Sequence, residues 1–360
     1  MHKQAFINTM TEQNIAYFFN GAAFMYFVCT SYFILKYSGR LRIQLITGFI
    51  FGYWAVWNFK DIIYAFQPFH NERVLHTIIF LDGWSAVSYA VLLFELSMPG
   101  WVTLKRTAAL LSPFLLFTAL HIMFPSDTLL LVYWTYLIIF GLTIIFIAYF
   151  KVKRYQAYIH NNFLDIEHID LSWLKNIFIM AFVSQLFWVL NSLYPTGLTD
   201  GIYYFSIIFQ WHLVAYYCWN HKSIILPSEK ELEQERKITC EGEATVGFPF
   251  AGKLEQLIDE QELYRKPDLT LQDLVLLVGS NRTYLSDYFN KVLNTTFYNY
   301  INQQRIEKGC IPLITQHQEL TIEAIACQAG FNSISTFRRA FQKETGMTPK
   351  EYRKKWMKQS

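Results

Sequence analysis

Charged side chains are scarce in this sequence. Asp, Glu, Lys and Arg make up 16% of its 360 residues, whereas hydrophobic residues make up 53% and aromatic residues 18%. A soluble globular protein usually carries about 25% charged residues, so this composition excludes an entirely soluble chain. We therefore expect a large part of the protein to lie in lipid.

Motifs of catalysis and metal binding are also missing. The five cysteines form no Cys-x-x-Cys pair and have no histidine at ligand spacing, so the sequence predicts neither a disulfide framework nor a metal site. It contains no phosphate-binding Walker A loop, no Gly-rich dinucleotide turn and no credible nucleophile triad. We expect a protein that is not an enzyme and needs no cofactor.

Uncharged stretches long enough to cross a bilayer recur before residue 222. At 1.5 Å per residue, the first of them spans about 34 Å, against about 30 Å for the hydrocarbon core. Only the third is interrupted by a charge, at Asp82. The seven stretches are 13–35, 43–59, 74–94, 107–126, 128–150, 176–199 and 201–221. The sequence therefore predicts an all-α fold that begins with a seven-helix transmembrane bundle over residues 1–222.

The loops between these stretches alternate in basic charge. Lys and Arg follow the first, third and fifth stretches, whereas the intervening loops contain Glu72 with Arg73, then Asp127, then Asp200. Loops rich in Lys and Arg stay in the cytoplasm. The alternation predicts an N-terminus outside the cytoplasmic (inner) membrane and a cytoplasmic location for everything after His221.

Asp82 needs a partner, because a carboxylate within the hydrocarbon region is costly unless it is paired. If adjacent helices are antiparallel, Lys60 lies about 6 Å above Asp82 and can be that partner. The pair has two open interpretations: a structural lock between two helices, or part of an outward-facing polar pocket that binds a ligand. The candidate ligand-binding residues are Asn58, Lys60, His76, Asp82 and Trp84.

Composition changes abruptly at residue 223. The run SEKELEQERK follows Pro227, and it predicts a cytoplasmic linker over 223–250 that starts with a short charged helix capped by Ser228. A further domain follows over 251–360. Residues 266–360 contain 13 Lys and Arg against 8 Asp and Glu, and a basic surplus in one domain favours nucleic acid as its partner.

The stretch IACQAGFNSISTFRRAFQKETGMTPKEYR, residues 325–353, predicts two helices joined by a sharp turn. Gly330 permits the turn, and Ser333 can cap the helix that follows. Phe337 and Phe341, four residues apart, bury one face of that helix. Its outer face would carry Ser335, Thr336, Arg338, Arg339 and Gln342. This is the pattern of a helix-turn-helix whose second helix enters a DNA groove.

These residues resemble the second helix-turn-helix of the AraC/XylS family of transcription regulators. The family pattern A-x-x-x-G-F, F-x-x-x-F, G-x-T-P-x-x-Y-R is matched by Ala326, Gly330, Phe331, Phe337, Phe341, Gly346, Thr348, Pro349, Tyr352 and Arg353. A similar unit lies upstream, with Gly279 at its turn. The resemblance covers about 253–353 and implies two helix-turn-helix units, at about 270–291 and 321–345.

Two features depart from the family pattern. Val275 stands where the family usually has alanine on the first helix of the upstream unit. Gly309 and Pro312 fall in the helix that should connect the two units, where proline removes a hydrogen bond and bends the axis. The spacing between the two recognition helices is therefore left open.

The resemblance also implies which residues face DNA. The base-facing positions are Arg282, Thr283, Ser286 and Asp287 in the first unit and Ile334, Ser335, Thr336 and Arg339 in the second, with Arg338 beside them. It further implies a homodimer on paired sites in double-stranded DNA. The leading hypothesis is a membrane-embedded transcription regulator that senses a small molecule or peptide outside the cell or within the membrane lipid.

Two other classes of function stay open. The bundle could be a transporter or membrane enzyme whose DNA-binding domain reports on its state, although no paired halves typical of transporters are found. The C-terminal helices could instead form a scaffold that docks a protein and never touches DNA.

Overall fold

The computed structural model describes residues 2–39, 41–64, 72–193, 196–224, 226, 248–317 and 319–357. Within these ranges every regular element is a helix, so the predicted all-α class is confirmed for this part of the chain. Most of the predicted linker, including the helix expected at Ser228, lies outside the described residues.

The chain divides into two compact units, and the division differs from the predicted domain boundary. The first unit is Met1–Lys153 with Leu171–Ile225, and the second is Arg154–Asp170 with Leu226–Ser360. The predicted membrane domain, residues 1–222, includes Arg154–Asp170, so the predicted boundary differs here. We name this part of the second unit the cover segment.

The first unit and the cover segment contain eight described helices. They are α1 His2–Tyr37, α2 Arg42–Tyr64, α3 Glu72–Asp82, α4 Ser85–Ser97, α5 Leu104–Met123, α6 Asp127–Asn162, α7 Leu174–Leu193 and α8 Gly197–Asn220. Four stretches of the described part are long and apolar enough to cross a membrane: Tyr17–Tyr37, His76–Ser97, Leu104–Met123 and Asp127–Asn162. The seven-span bundle therefore stays a prediction.

The third predicted span is two helices rather than one, because the chain turns at Gly83 and Trp84. The Tyr133 hydroxyl of α6 donates a 2.6 Å hydrogen bond to the Phe80 carbonyl, which would accept from the Trp84 N–H in an unbroken helix. A Cβ on Gly83 would overlap the same hydroxyl. Glycine is therefore required where Tyr133 approaches the backbone.

The second unit continues with short helices around two hydrophobic cores. The helices are α9 Ala251–Asp259, α10 Leu271–Val278, α11 Arg282–Asp287, α12 Phe297–Gln304, α13 Ile311–Gln316, α14 Ile322–Gln328, α15 Ile334–Thr345 and α16 Pro349–Met357. The first core contains α9 to α12 together with Leu164 of the cover segment. The second core contains α13 to α15, with Tyr352 of α16 packed against it. Each core encloses one predicted helix-turn-helix.

Pro312 does not end the helix that connects the two helix-turn-helix units. Between α12 and α13 the residues Arg305–Cys310 form a π-helical turn, and the Ile311 N–H bonds the Ile306 carbonyl five residues back. Pro312 then falls in the first turn of α13, where a missing N–H costs little because that group has no intrahelical partner. The wider turn therefore accommodates the proline, and the connection stays helical.

Arg305 joins the connecting helix to both cores. Its guanidinium is buried and donates to the Tyr264 carbonyl at 2.7 Å and the Lys266 carbonyl at 2.8 Å. It also lies 5.3 Å from the centre of the Phe331 ring. Burial lowers the pKa of Arg305 to about 10, so the side chain remains charged at neutral pH. The carbonyl oxygens offset the cost of burying that charge.

Gly330 is the turn residue most sensitive to substitution. Its φ is +92°, and a Cβ there would lie 2.6 Å from the Arg265 carbonyl oxygen. Gly279, at the equivalent turn of the first unit, has a φ of +72° and open space around it. A left-handed conformation costs an alanine about 1–2 kcal/mol at either site, but only Gly330→Ala also displaces backbone.

We therefore expect Gly330→Ala to lower the thermal stability of the second unit more than Gly279→Ala does. Limited proteolysis of the full-length protein in detergent against temperature, scored within residues 248–357, measures both variants. Equal losses would contradict the close approach of Arg265.

Candidate nucleic-acid interface

Capping residues set the limits of the first helix-turn-helix. The Thr270 hydroxyl accepts from the Asp273 N–H, while the Asp273 carboxylate accepts from the Thr270 N–H at 2.8 Å. Gly279 ends α10 in the left-handed conformation. The Asn281 side chain then accepts from the Tyr284 N–H at 2.8 Å and starts α11. These local bonds satisfy helix-end donors that would otherwise be unpaired.

The predicted base-facing residues of α11 are all half-buried. Asp287 pairs with Lys291 at 2.8 Å. The Asn290 amide donates to the carbonyl and the hydroxyl of Ser286. Arg282 donates to Asn162 and Tyr158. The polar groups of this helix are thus largely engaged within the protein.

In the second helix-turn-helix, the turn, the helix cap and the buried face are as the sequence predicts. Gly330 has the predicted positive φ, and the Ser333 hydroxyl caps α15 by accepting from the Thr336 N–H. Phe337 and Phe341 are fully buried, so the predicted inner face is confirmed. The Phe331 ring packs 5.4 Å from Phe337.

Two residues of α15 do not lie where the resemblance implied. Thr336 is only 4% exposed, and its predicted place on the outer face is wrong. It shares a buried stripe with Phe337, Ala340 and Phe341, because residues one and four positions apart can line one wide helix face. Ile334 is half-buried and packs against the second core. Of the predicted outer-face residues, Ser335, Arg338, Arg339 and Gln342 are exposed.

The cover segment contacts a predicted DNA-facing residue in each helix-turn-helix. Arg282 Nε donates to Asn162 Oδ1 at 2.7 Å, and a second Arg282 nitrogen bonds the Tyr158 hydroxyl. The guanidinium also lies 4.7 Å from the centre of the Tyr158 ring. In the second helix-turn-helix, the Ser335 hydroxyl donates to Glu167 Oε1 at 3.1 Å.

Glu167 carries its negative charge at the start of α15. Hydrogen bonding from Ser333 holds the pKa of Glu167 below its usual range, against the effect of partial burial, and Ser335, His168 and Arg339 add to the lowering. The carboxylate is therefore ionised at neutral pH. A helix N-terminus attracts anions of this kind.

Sequence reasoning missed these contacts of the cover segment. The available signal was a run of acids, Asp165, Glu167 and Asp170, in a loop otherwise predicted to be basic. No local pattern indicates that such a loop packs on residues more than a hundred positions away.

The first unit brings together the predicted ion pair. Lys60 Nζ lies 2.7 Å from Asp82 Oδ1, and the two side chains are 17% and 33% exposed. Asp61 also contacts Lys60, at 2.5 Å. One lysine on α2 therefore serves two carboxylates, one on its own helix and one at the end of α3.

The other predicted pocket residues have their own partners. The Asn58 amide donates to the Trp54 carbonyl on the same helix at 2.8 Å, and the Trp84 indole donates to Thr118 at 3.1 Å. The His76 ring lies 6.1 Å from the ring of His121. Among the described residues, no group of three His, Cys, Asp or Glu side chains could hold a metal ion.

The comparisons with known proteins concern the C-terminal part of the chain. A family model described as a helix-turn-helix domain matches residues 274–355. An uncharacterised HTH-type transcriptional regulator of Staphylococcus aureus strain COL is 38% identical over 101 residues, which are 28% of this chain and 13% of that protein. The uncharacterised HTH-type transcriptional regulator YdeC of Bacillus subtilis strain 168 is 32% identical over 102 residues, 34% of its length.

A solved structure, the C-terminal domain of AraT, a response regulator from Geobacillus stearothermophilus, shares 29% identity with this chain. The match covers 30% of this chain and 86% of that one, with a TM-score of 0.27. This chain spans well under half the length of the two regulators from Staphylococcus aureus and Bacillus subtilis, because the matches cover 13% and 34% of those proteins. Residues 274–355 are a helix-turn-helix domain of the AraC type.

Proposed function

We propose that this protein is a transcription regulator held in the cytoplasmic membrane by its N-terminal helices, with its AraC-type domain in the cytoplasm. The proposal rests on the cap of α15 and on which of its residues are buried and which are exposed. Ser333 caps it, Phe337 and Phe341 bury its inner face, and Ser335, Arg338 and Arg339 stay exposed on the other side. That arrangement suits a helix that reads double-stranded DNA in the major groove.

The partners follow from the two parts of the chain. Double-stranded DNA is the partner of the second unit, and paired operator sites fit a homodimer. The apolar helices fit membrane lipid as the surroundings of the first unit. For the signal, we propose that a small molecule or peptide acts at Lys60 and Asp82, because a ligand that competes for either side chain would separate α2 from α3.

DNA binding is tested with the full-length protein in lipid nanodiscs and a sheared library of genomic DNA. We expect the protein to retain a small set of fragments that share a sequence, and reporter genes placed behind them should respond to deletion of the protein. A library recovered without enrichment would contradict the proposal and favour a domain that docks proteins.

The membrane topology is tested with reporter fusions. We expect fusions after Tyr37, after Ser97 and at Lys230 to report the cytoplasm, and fusions at Asn71 and Thr199 to report the outside, because of the alternating loop charges. Asn71 and Lys230 lie outside the described residues. A cytoplasmic signal at Asn71 would contradict the seven-span topology.

A further inference from the structure

We propose that the cover segment, Arg154–Asp170, is an intramolecular competitor of DNA that occupies both recognition helices until the protein is activated. The inference rests on the proposed function and adds its regulation. It starts from the juxtaposition of Tyr158 and Asn162 with Arg282, and of Glu167 with Ser335.

The first contact engages the main base-reading candidate of α11. Arginine recognises guanine through a fork of two parallel hydrogen bonds from its guanidinium. Here the Arg282 guanidinium bonds Asn162 and Tyr158 and stacks on the Tyr158 ring. Asn162 and Tyr158 thus supply two hydrogen-bond acceptors and an aromatic ring. A guanine edge and the neighbouring bases of DNA would present the same kinds of group to Arg282. Arg282 cannot make both sets of contacts at once.

The second contact places an anion where a DNA backbone or base acceptor would lie. Glu167 accepts from Ser335, next to the Ser333 cap at the N-terminus of α15. The charge of Arg339 stabilises the Glu167 carboxylate. Exposed hydroxyls, an arginine and a helix N-terminus are the groups that bind phosphate in protein–DNA complexes. The carboxylate therefore substitutes for DNA at the second recognition helix.

The cover segment is also anchored in the second unit by packing. Leu164 is 3% exposed and belongs to the first core, and Phe163 forms an isolated bridge with Thr270 at the start of α10. The His160 ring packs edge-on, 5.2 Å from Tyr298 of the connecting helix. Two polar contacts and an apolar anchor make a defined docked state, which is what a two-state switch requires.

Helix α6 begins in the first unit and ends in the cover segment, so a change in the first unit could reach this switch through it. It is continuous from Asp127 to Asn162, so Tyr158 and Asn162 lie on the same helix that carries the apolar stretch. A helix of 36 residues is about 54 Å long, which exceeds the roughly 30 Å hydrocarbon core by several turns. A rotation or shift of α6 would move Tyr158 and Asn162 together and free Arg282.

The test uses the full-length protein in lipid nanodiscs and a labelled random-sequence DNA duplex of about four helical turns, about 40 base pairs. The variant Tyr158→Phe/Asn162→Ala/Glu167→Gln removes both hydrogen bonds to Arg282 and the negative charge beside Ser335, and leaves Leu164 in place. We expect it to bind the duplex about ten-fold more tightly than the wild type, because the apparent dissociation constant falls as the open fraction rises. A loss of folding lowers binding, so a gain is not explained by damage.

The matched control is Asp165→Asn. It removes the same charge as Glu167→Gln from the same segment, while an oxygen remains to accept the weak bond from the Glu167 N–H. Equal gains from Asp165→Asn and Glu167→Gln would show that the segment merely repels phosphate, and would overturn the proposal. A gain restricted to Glu167→Gln supports it.

A second measurement tests whether DNA in turn displaces the cover segment. If DNA and the cover segment exclude each other, saturating DNA must displace the segment, and hydrogen exchange in 158–170 of the wild type should become faster. Slower exchange there would overturn the competition. Unchanged affinity in the triple variant, with wild-type binding intact, would overturn it while leaving the proposed function. If neither protein binds any duplex, the proposed function itself fails.

Discussion

We expect Lys60→Met to reduce sharply the amount of folded protein in the membrane, and Asp82→Asn to reduce it less. This asymmetry is expected because Lys60 contacts both Asp61 and Asp82. Removing the lysine takes the cation from two carboxylates, whereas Asp82→Asn leaves the pair of Lys60 with Asp61. Breaking a buried ion pair from one side costs about 3–5 kcal/mol, since a charge is left in surroundings of low polarity.

The measurement is the amount of monodisperse protein extracted from washed membranes, with Lys175→Met as the control for loss of an exposed lysine. The double variant Lys60→Met/Asp82→Asn should recover part of the loss. If it is abundant and reporter expression still responds to the signal, the pair is a structural lock. Normal abundance without a response indicates a ligand site. If both single variants are as abundant as the wild type, we would abandon both the structural lock and the ligand site.

The sequence predicted best what short-range chemistry determines. The Gly330 turn, the Ser333 cap and the spacing of Phe337 and Phe341 each depend on neighbours within a few residues, and all three are as predicted. Thr336 was misplaced because a repeat of 3.6 residues locates a helix face only to within about a quarter turn. A residue at the edge of the buried stripe is then assigned by its polarity alone.

Contacts between distant segments could not be predicted in the same way. The break at Gly83 depends on Tyr133, and the partner of Arg282 is on a helix 120 positions earlier. Lys60 and Asp82 were found because an unpaired charge in lipid is costly enough to require a partner. The direct contact of Asp61 with Lys60 was not predicted, since the place of Asp61 next to Lys60 in sequence gives no indication of which way its side chain turns.

We expect Arg339→Ala to weaken binding to the selected genomic sites by about 1–3 kcal/mol, about five- to 150-fold, because its guanidinium is proposed to bond a guanine edge. Binding to random DNA should change far less, because phosphate contacts carry little sequence information. Arg339 also lies close enough to Glu167 to affect its charge. The substitution is therefore compared in the Glu167→Gln background, where the cover segment no longer competes through that carboxylate.

Arg338→Ala is the matched control, because Arg338 is the neighbouring exposed arginine and lies 3.5 Å from Glu323. We expect it to weaken binding to selected and random DNA to the same small extent. A loss of sequence preference with Arg338→Ala rather than Arg339→Ala would reverse the assignment of the base-reading residue.

Footprinting of the full-length Glu167→Gln protein in nanodiscs on its selected genomic fragments is the most direct test of a membrane-embedded regulator that reads DNA through α15. The expected result is a protected site on each fragment that disappears with Arg339→Ala and remains with Arg338→Ala. Absence of protection on every fragment, or protection that Arg339→Ala leaves unchanged, would contradict the account.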